Sequence, residues 1–312
     1  MKKKLAVMVA GIMACMTVMT GCGTDKTGDT GETGKKSEGY LVGFANNSDT
    51  YNYCAKFRTY LKEMTEAKGI DITVTDAGGD TNVQNVNVVS AISNDLDGSI
   101  PALEAAKSAG LPYISFLTTV SGGDDYDGYI YVGSPNYDAG KAQGEYLREV
   151  FPEGASILYF TGAPNDQQYI DRKQGLEDAL KGSNITILGE YNVENAKDLG
   201  MSTADDCLLS YDSFDAIVCQ NDDAALGVVE ALKSAGKQDS IQVLGVDGSD
   251  DALESIKNGE MTMTSLQDAK AQAEAGAQIF EDLKNGTDPA DIEDVSIPFK
   301  IVTAENVDEY LK

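Results

Sequence analysis

Histidine and tryptophan are both absent from this chain of 312 residues. Without histidine there is no Ser-His-Asp or Cys-His nucleophile and no imidazole to bind a metal, so those chemistries fall together. Carboxylate-only chemistry remains open. Arginine is scarce, occurring at Arg58, Arg148 and Arg172, and all bases number 24 against 51 acids. The stretch 1–21 holds three lysines and no acid, so its removal takes the net charge from −27 to −30. Such a surface repels phosphate, which excludes nucleic acid as a partner. The acidity reads as a solubility device and says nothing about a ligand's charge. Cysteine is also sparse, at positions 15, 22, 54, 207 and 219 with no CxxC spacing. An odd, widely spaced set argues against a disulfide framework. Cys219, inside an apolar run, reads as a small buried hydrophobe. No metal site and no cofactor are expected.

What is present begins with an address. Residues 1–22 read MKKKLAVMVAGIMACMTVMTGC. A basic start, an apolar run and small residues make residues 1–21 a secretory signal peptide, too short for a permanent membrane span. The ending MTGC resembles the bacterial lipobox, with Met19 where leucine is more usual, which implies lipidation of Cys22. Residues 23–38 contain no apolar residue, and 22–38 is expected to be a lipidated, disordered tether. Together these place a folded domain on the extracytoplasmic face of a bacterial cell membrane.

From Tyr40 onward strand and helix patterns alternate. YLVGFA (40–45) reads as a strand, and Phe57, Tyr60, Leu61 and Met64 mark a helix over about 53–68. Further strands are expected at 70–76, 88–92, 111–117, 129–133, 156–160, 184–190, 215–219, 241–247, 261–266 and 297–303, with helices between most of them and one at the end. Helices of this length between strands imply βαβ units and mostly parallel sheets. About ten strands exceed one comfortable open sheet, so two doubly wound lobes are expected, with a break near Gly133-Ser134-Pro135-Asn136.

Parallel strands converge their carboxyl ends on one crevice, where ligands bind. After the first strand come Asp49, Tyr51 and Tyr53; after 88–92 comes Asn94; after 156–160 come Asp166, Gln168 and Arg172. The strand 215–219 runs into Gln220-Asn221-Asp222-Asp223, and Asp247 and Gln267 end two more. These are mostly planar amides, carboxylates and one guanidinium, with tyrosines nearby. Planar bidentate groups match adjacent hydroxyl pairs, and aromatic faces cover the C–H face of a sugar ring. The set suits a neutral polyol better than an anion. Capping chemistry imitates it: Asp222 reads as a helix cap with Asn221 as the ligand residue, and Asp247 divides evenly between cap and ligand. Arg172 as a surface helix residue, and Tyr51 and Tyr53 as packing, remain alternatives.

The segments QNDDAALGVVEALKSAG (220–236), VLGVDGSDDALESIKNGEMTMTSLQD (243–268), YVGSPNYDAGKAQGEYL (131–147) and GAPNDQQYIDRKQGLEDAL (162–180) resemble the periplasmic ribose- and galactose/glucose-binding proteins of ABC importers, the type I periplasmic binding protein family. The resemblance covers about residues 40–312. It implies an α/β fold of two doubly wound parallel-sheet lobes joined by a three-strand hinge, with 39–134 plus 268–296 in an N-terminal lobe and 135–267 plus 297–312 in a C-terminal lobe. It implies ring-hydroxyl contacts from Asn221, Asp247, Gln267 and Arg172, a polar group at Asp49 and a stacking aromatic at Tyr53. Asp166 and Gln168 stand where the galactose/glucose binders carry a histidine and an aspartate. Three features depart: SFLTTVSGG (115–123) lacks the Asp-Arg pair of ribose binders, no tryptophan stacks on the sugar, and the calcium loop is replaced by FPEGAS (151–156). The resemblance implies a monomeric, non-enzymatic lipoprotein that captures a galactose/glucose- or ribose-like monosaccharide between hinged lobes and delivers it to an ABC permease. A sensor of a nucleoside or sugar-like signal is the alternative. A glycosidase needs two carboxylates about 5–10 Å apart, for which Asp222/Asp223 or Asp49/Asp247 are candidates. A sugar-responsive repressor needs a DNA-binding start where the signal peptide stands.

Overall fold

The computed structural model describes residues 39–49, 51–76, 85–92, 97–164 and 166–311. The expected signal peptide, tether, Cys22 and Asn94 lie outside the described residues.

Among the described residues twelve strands run in chain order: β1 (Leu41–Asn46), β2 (Asp71–Asp76), β3 (Val88–Ile92), β4 (Tyr113–Phe116), β5 (Tyr129–Gly133), β6 (Ala155–Thr161), β7 (Ile185–Asn192), β8 (Ala216–Cys219), β9 (Gln242–Asp247), β10 (Met263–Leu266), β11 (Val295–Ser296) and β12 (Lys300–Thr303). Eight α-helices alternate with them: α1 (Asn52–Ala67), α2 (Ile100–Ala109), α3 (Asn136–Val150), α4 (Gln167–Leu180), α5 (Lys197–Ser210), α6 (Asp222–Ser234), α7 (Asp250–Lys257) and α8 (Ala269–Lys284). The strands form two six-stranded sheets, in the orders β11-β5-β4-β3-β1-β2 and β12-β10-β9-β8-β6-β7. Their pairings are parallel apart from β10–β12, which is antiparallel.

A strand covered on both faces has no polar side to show, which is why β3 reads VVSAI and is buried at every position. β7, at the edge, alternates half-buried and exposed residues after a buried Ile185. In each sheet the strand order reverses once, between β1 and β3 and between β6 and β8. The loops leaving those strands diverge to opposite faces, opening a crevice at their carboxyl ends.

Aromatic packing holds the first lobe. Phe57 on α1 lies 4.9 Å, ring to ring, from Phe116 of β4, and Phe44 meets Phe116 edge-on at 6.0 Å. In the second lobe the core is mainly aliphatic, built from Leu158, Ile217, Val228, Leu232 and Val243, with Phe160, Phe214 and Tyr159 among them. The chain passes between the sheets three times, at 134–135, 267–268 and 297–299.

Two differences from the sequence pattern have local causes. The stretch 297–303 is not one strand: β11 belongs to the first sheet and β12 to the second, and Pro298 between them has no N–H for a ladder. The expected terminal helix is a single 3₁₀ turn, Val307–Glu309. No helix among the described residues is long and apolar enough to cross a membrane.

Candidate functional site

At the carboxyl ends of the two sheets the lobes enclose a cavity of about 40 Å³. Asn221 shows how local folding builds it. As α6 begins, the Asn221 side chain accepts from Ala224 N at 3.0 Å, so Asn221 is the helix cap. Its Nδ2 donates to the Asn195 carbonyl at 2.9 Å, and the side chain still lines the cavity. The cap expected at Asp222 is thus one residue earlier. Asp222 is buried inside the first turn, accepting from Thr264 Oγ1 and from Ser249 N, each at 2.8 Å. It ties α6 to β10 and to the start of α7. Burial pushes its carboxyl up to about 7, against the pull of those hydrogen bonds. Ser249, not Asp247, caps α7.

Arg172 is buried, at 3% exposure, and its side chain is fixed on three sides. Nε donates to Asn136 Oδ1 at 3.0 Å, Nη1 donates to the Gln220 carbonyl, and the guanidinium stands 6.0 Å from the centre of the Phe299 ring. Those two bonds use two of its five N–H groups. Its position depends on the crossing of α3 and α4, which meet backbone to backbone. A Cβ at Gly140 would collide with the Arg172 carbonyl, and one at Gly175 with that of Tyr137. Gln220 braces the same region, accepting from Gly162 N at 2.9 Å and donating to the Tyr159 hydroxyl at 3.0 Å.

Asp247 ends β9 with a φ of +123°, a strained value for a residue with a side chain. Burial holds its carboxyl well above the usual carboxylate range; the Arg172 guanidinium pulls it down, while Asp222 and Asp223 push it up. Leu117 (φ +70°) and Asn195 (φ +56°) also line the cavity, so three of the five positive-φ non-glycine residues described lie there. Strain concentrates at the site, as it does where a surrounding fold holds working residues in place. Asn195 Oδ1 is buried and has no hydrogen-bond partner.

The first lobe contributes Tyr51, Tyr53, Cys54 and Leu117. The Tyr53 hydroxyl donates to Gln272 Oε1, whose Nε2 donates to Ser134 Oγ, both at 2.7 Å, so the ring is braced against α8 and the first crossing. Burial raises the Cys54 thiol to about 12, which leaves it protonated and unreactive. Contacts also span the two lobes. Asn52 Nδ2 donates to Asp223 Oδ1 at 2.5 Å, and Lys56 Nζ pairs with Asp250 at 2.7 Å. These hold the lobes closed on a space of only a few waters.

Of the residues singled out in the sequence, Tyr51, Tyr53, Gln168, Arg172, Asn221, Asp247 and Gln267 line this one cavity. Asp49 lies off it, exposed, paired with Arg58 at 2.9 Å and accepting from Asn46 at 2.6 Å. Asp166 is the buried cap of α4, accepting from Gln168 N at 2.9 Å, and does not line the cavity. Cys54, Leu117 and Asn195 line it without having been sought there, and Asp223, raised only as a glycosidase carboxylate, lines it too. Asn195 carried a signal, an amide just past the end of β7. Leu117 carried none, because its position depends on a left-handed turn after an apolar strand.

A carboxylate pair facing across the cavity does not form from the pairs considered: Asp49 is held outside, and both Asp222 oxygens are engaged. Among the described residues no group of three or more Cys, Asp or Glu is placed to hold a metal ion.

A family model, the periplasmic binding protein domain, matches residues 42–288. The ribose import binding protein of Bacillus subtilis is 21% identical over 281 residues, covering 87% of this chain and 89% of the relative. A xylitol-binding protein of Mycolicibacterium smegmatis is 25% identical over 309 residues, covering 93% and 83%. Among solved structures, a Caulobacter myo-inositol binding protein bound to myo-inositol superposes with a TM-score of 0.80 at 25% identity, covering 89% of this chain and 98% of that one. An ABC transporter solute binding protein of Bacillus halodurans, also with bound myo-inositol, gives 0.78 at 26% identity, covering 90% and 99%.

Proposed function

The chain belongs to the periplasmic binding protein family, and from that premise we propose that it is a lipid-anchored, monomeric receptor that takes a monosaccharide or cyclic polyol into the cavity between its lobes and presents it to an ABC permease. The family consists of substrate-binding proteins of transporters, working outside the cytoplasm, and sugar capture is the role shared with its relatives. The anchor is Cys22, and the residues proposed to touch ligand are Tyr51, Tyr53, Gln168, Arg172, Asn195, Asn221, Asp247 and Gln267.

One observation carries the reading: amides, a carboxyl and a guanidinium from one lobe and aromatic rings from the other line a single cavity. Ring hydroxyls take the directional bonds, and Asn195 Oδ1 gains the donor it lacks. The ring's C–H face meets Tyr51 and Tyr53. Because the ligand touches both lobes only when they close, its differential affinity shifts the population toward the closed form. Space for only a few waters means that the lobes part slightly to seat a ring.

Thermal unfolding of the purified protein against pentoses, hexoses and cyclitols tests this, since a ligand of the folded state raises Tm with dose. Asn221 then separates two roles. Asn221→Ala loses both ligand contact and cap, lowering stability by about 1 kcal/mol; Asn221→Ser keeps a cap and loses the contact. Sugar affinity of the wild-type value in Asn221→Ser removes Asn221 from the site.

A further inference from the structure

The proposed sugar cavity shares part of its wall with a neighbouring space. Tyr53, Asp247 and Gln267 line it on one face and on the other line a second, larger space of about 390 Å³. That volume lies within the range of small-molecule sites. The first cavity, at about 40 Å³, is by far the smaller of the two.

The larger space is built from both lobes. Tyr60 comes from α1, and Tyr310 from just beyond the last 3₁₀ turn. Leu253 of α7 and Leu266 of β10 add apolar wall, and Asn52 and Ser249 add hydrogen-bonding groups. Its charges nearly balance, three lysines (Lys56, Lys270, Lys300) against four aspartates (Asp247, Asp250, Asp251, Asp268), and Lys56 pairs with Asp250 at 2.7 Å and Lys300 with Asp268 at 2.9 Å. A wall of aromatic rings, leucines, amide and hydroxyl, with its charge nearly balanced, suits a neutral ring carrying polar edges. It suits neither a phosphate, which wants an excess of cations, nor a purely apolar tail.

Resting on the reading of the first cavity as a sugar site, we infer that the ligand is a glycoside: a sugar ring in the inner cavity, carrying a second neutral ring past Tyr53 and Gln267 into the outer chamber. The second ring lies between Tyr60 and Tyr310, which belong to different lobes. Its contacts therefore form fully only in the closed state, and they add affinity through the same closure that the sugar drives. A plain monosaccharide uses the inner cavity alone.

The test is calorimetric titration of the purified protein with paired probes: D-galactose against lactose, melibiose and 4-nitrophenyl β-D-galactoside, and D-ribose against adenosine. At least one glycoside is expected to bind about tenfold or more tighter than its parent sugar. In Tyr310→Ala that ratio falls to within about twofold, and in Tyr310→Phe, which keeps the ring, it is retained. The phenylalanine variant also guards against a loss that merely reflects misfolding. Parent sugars that bind while every glycoside binds equally or more weakly overturn the inference and leave sugar capture standing. A ratio unchanged in Tyr310→Ala overturns the placement of the second ring. Heats absent for every sugar and every glycoside overturn both readings together.

Discussion

The two lobes share one fold and one cavity, yet they face that cavity with different chemistry. The second lobe presents Gln168, Arg172, Asn195, Asn221, Asp223 and Asp247, with Gln267 at the crossing; among the described residues the first presents Tyr51, Tyr53, Cys54 and Leu117. Their interiors differ in a complementary way. The first lobe is packed on phenylalanines around Phe116, the second on mainly aliphatic strands that carry buried polar groups at their ends. The polar lobe must hold its groups rigidly while empty, and it spends hydrogen bonds and a tight helix crossing on doing so. The apolar lobe needs only to cover. Recognition is therefore set up on one side and completed by closure of the other.

That asymmetry is broken or sharpened most strongly by truncating one residue on each wall. Asp247→Ala removes a directional acceptor and leaves Arg172 buried without its carboxyl neighbour. Losing one hydrogen-bonding group in a buried site costs about 1–3 kcal/mol of binding, roughly a ten- to hundredfold loss of sugar affinity. Cys54→Ala on the opposite wall removes one small uncharged group and costs about 1 kcal/mol. Titration calorimetry of both variants with one sugar decides the matter, and comparable losses would erase the distinction between a gripping lobe and a covering one.

The second lobe also carries a stability burden that the first does not. Asp222 is pushed to about 7 by burial, and Asp223 and Asp247 are raised with it. An unfolded aspartate titrates near 4. A folded-state pKa above the unfolded one favours folding fully below about pH 4, and that contribution is lost as pH rises toward 7, after which it is flat. The protein should melt at a lower temperature at pH 8 than at pH 5. Asp222→Asn keeps the shape, and its amide oxygen can still accept from the Thr264 hydroxyl or from Ser249 N. The variant is expected to flatten the slope and to raise the melting temperature at pH 8 by a few degrees for each kcal/mol recovered, about 2–4 °C. A slope identical to wild type would show that Asp222 ionises freely in the folded state.

Much of the site was legible because a parallel sheet concentrates function at strand ends, and those ends are visible as apolar runs that stop at polar residues. Asn221 and Gln267 follow β8 and β10 and Asp247 ends β9 in this way, while Arg172 lies in α4, the helix after β6. Helix capping blurred the reading by a single position: Asn221 and Asp222 are both good caps, and the choice is made by Thr264 and Ser249, distant in sequence, which engage the Asp222 carboxylate. Asp166 illustrates the converse, since one of its carboxylate oxygens caps its own helix. The number and order of the strands were less accessible. Two-residue β11 is defined by pairing with β5, more than 150 positions earlier, and no local pattern announces it. Cys54 and Leu117 were hidden for a related reason, because a small or apolar side chain at a cavity wall looks the same as one in a core.

The smallest effect concerns what holds the lobes together. Lys56 and Asp250 face one another across the two lobes at 2.7 Å, but the carboxylate is 79% exposed and the amine 33%. An ion pair this accessible contributes about 1 kcal/mol or less. It exists only in the closed state, so its removal should leave encounter untouched and speed release. In Lys56→Ala, sugar dissociation is expected to accelerate by no more than about fivefold at low salt, and the difference from wild type should vanish near 1 M salt, where the screening length is about 3 Å. Asn52→Ala, which breaks the contact to partly buried Asp223, should show a similar acceleration that survives salt, because a neutral donor is screened less than an ammonium. Stopped-flow displacement at two salt concentrations separates the two contacts. Dissociation rates equal to wild type in both variants would mean that closure in solution rests on the ligand and the crossings alone, with the covering lobe making no direct grip on its partner.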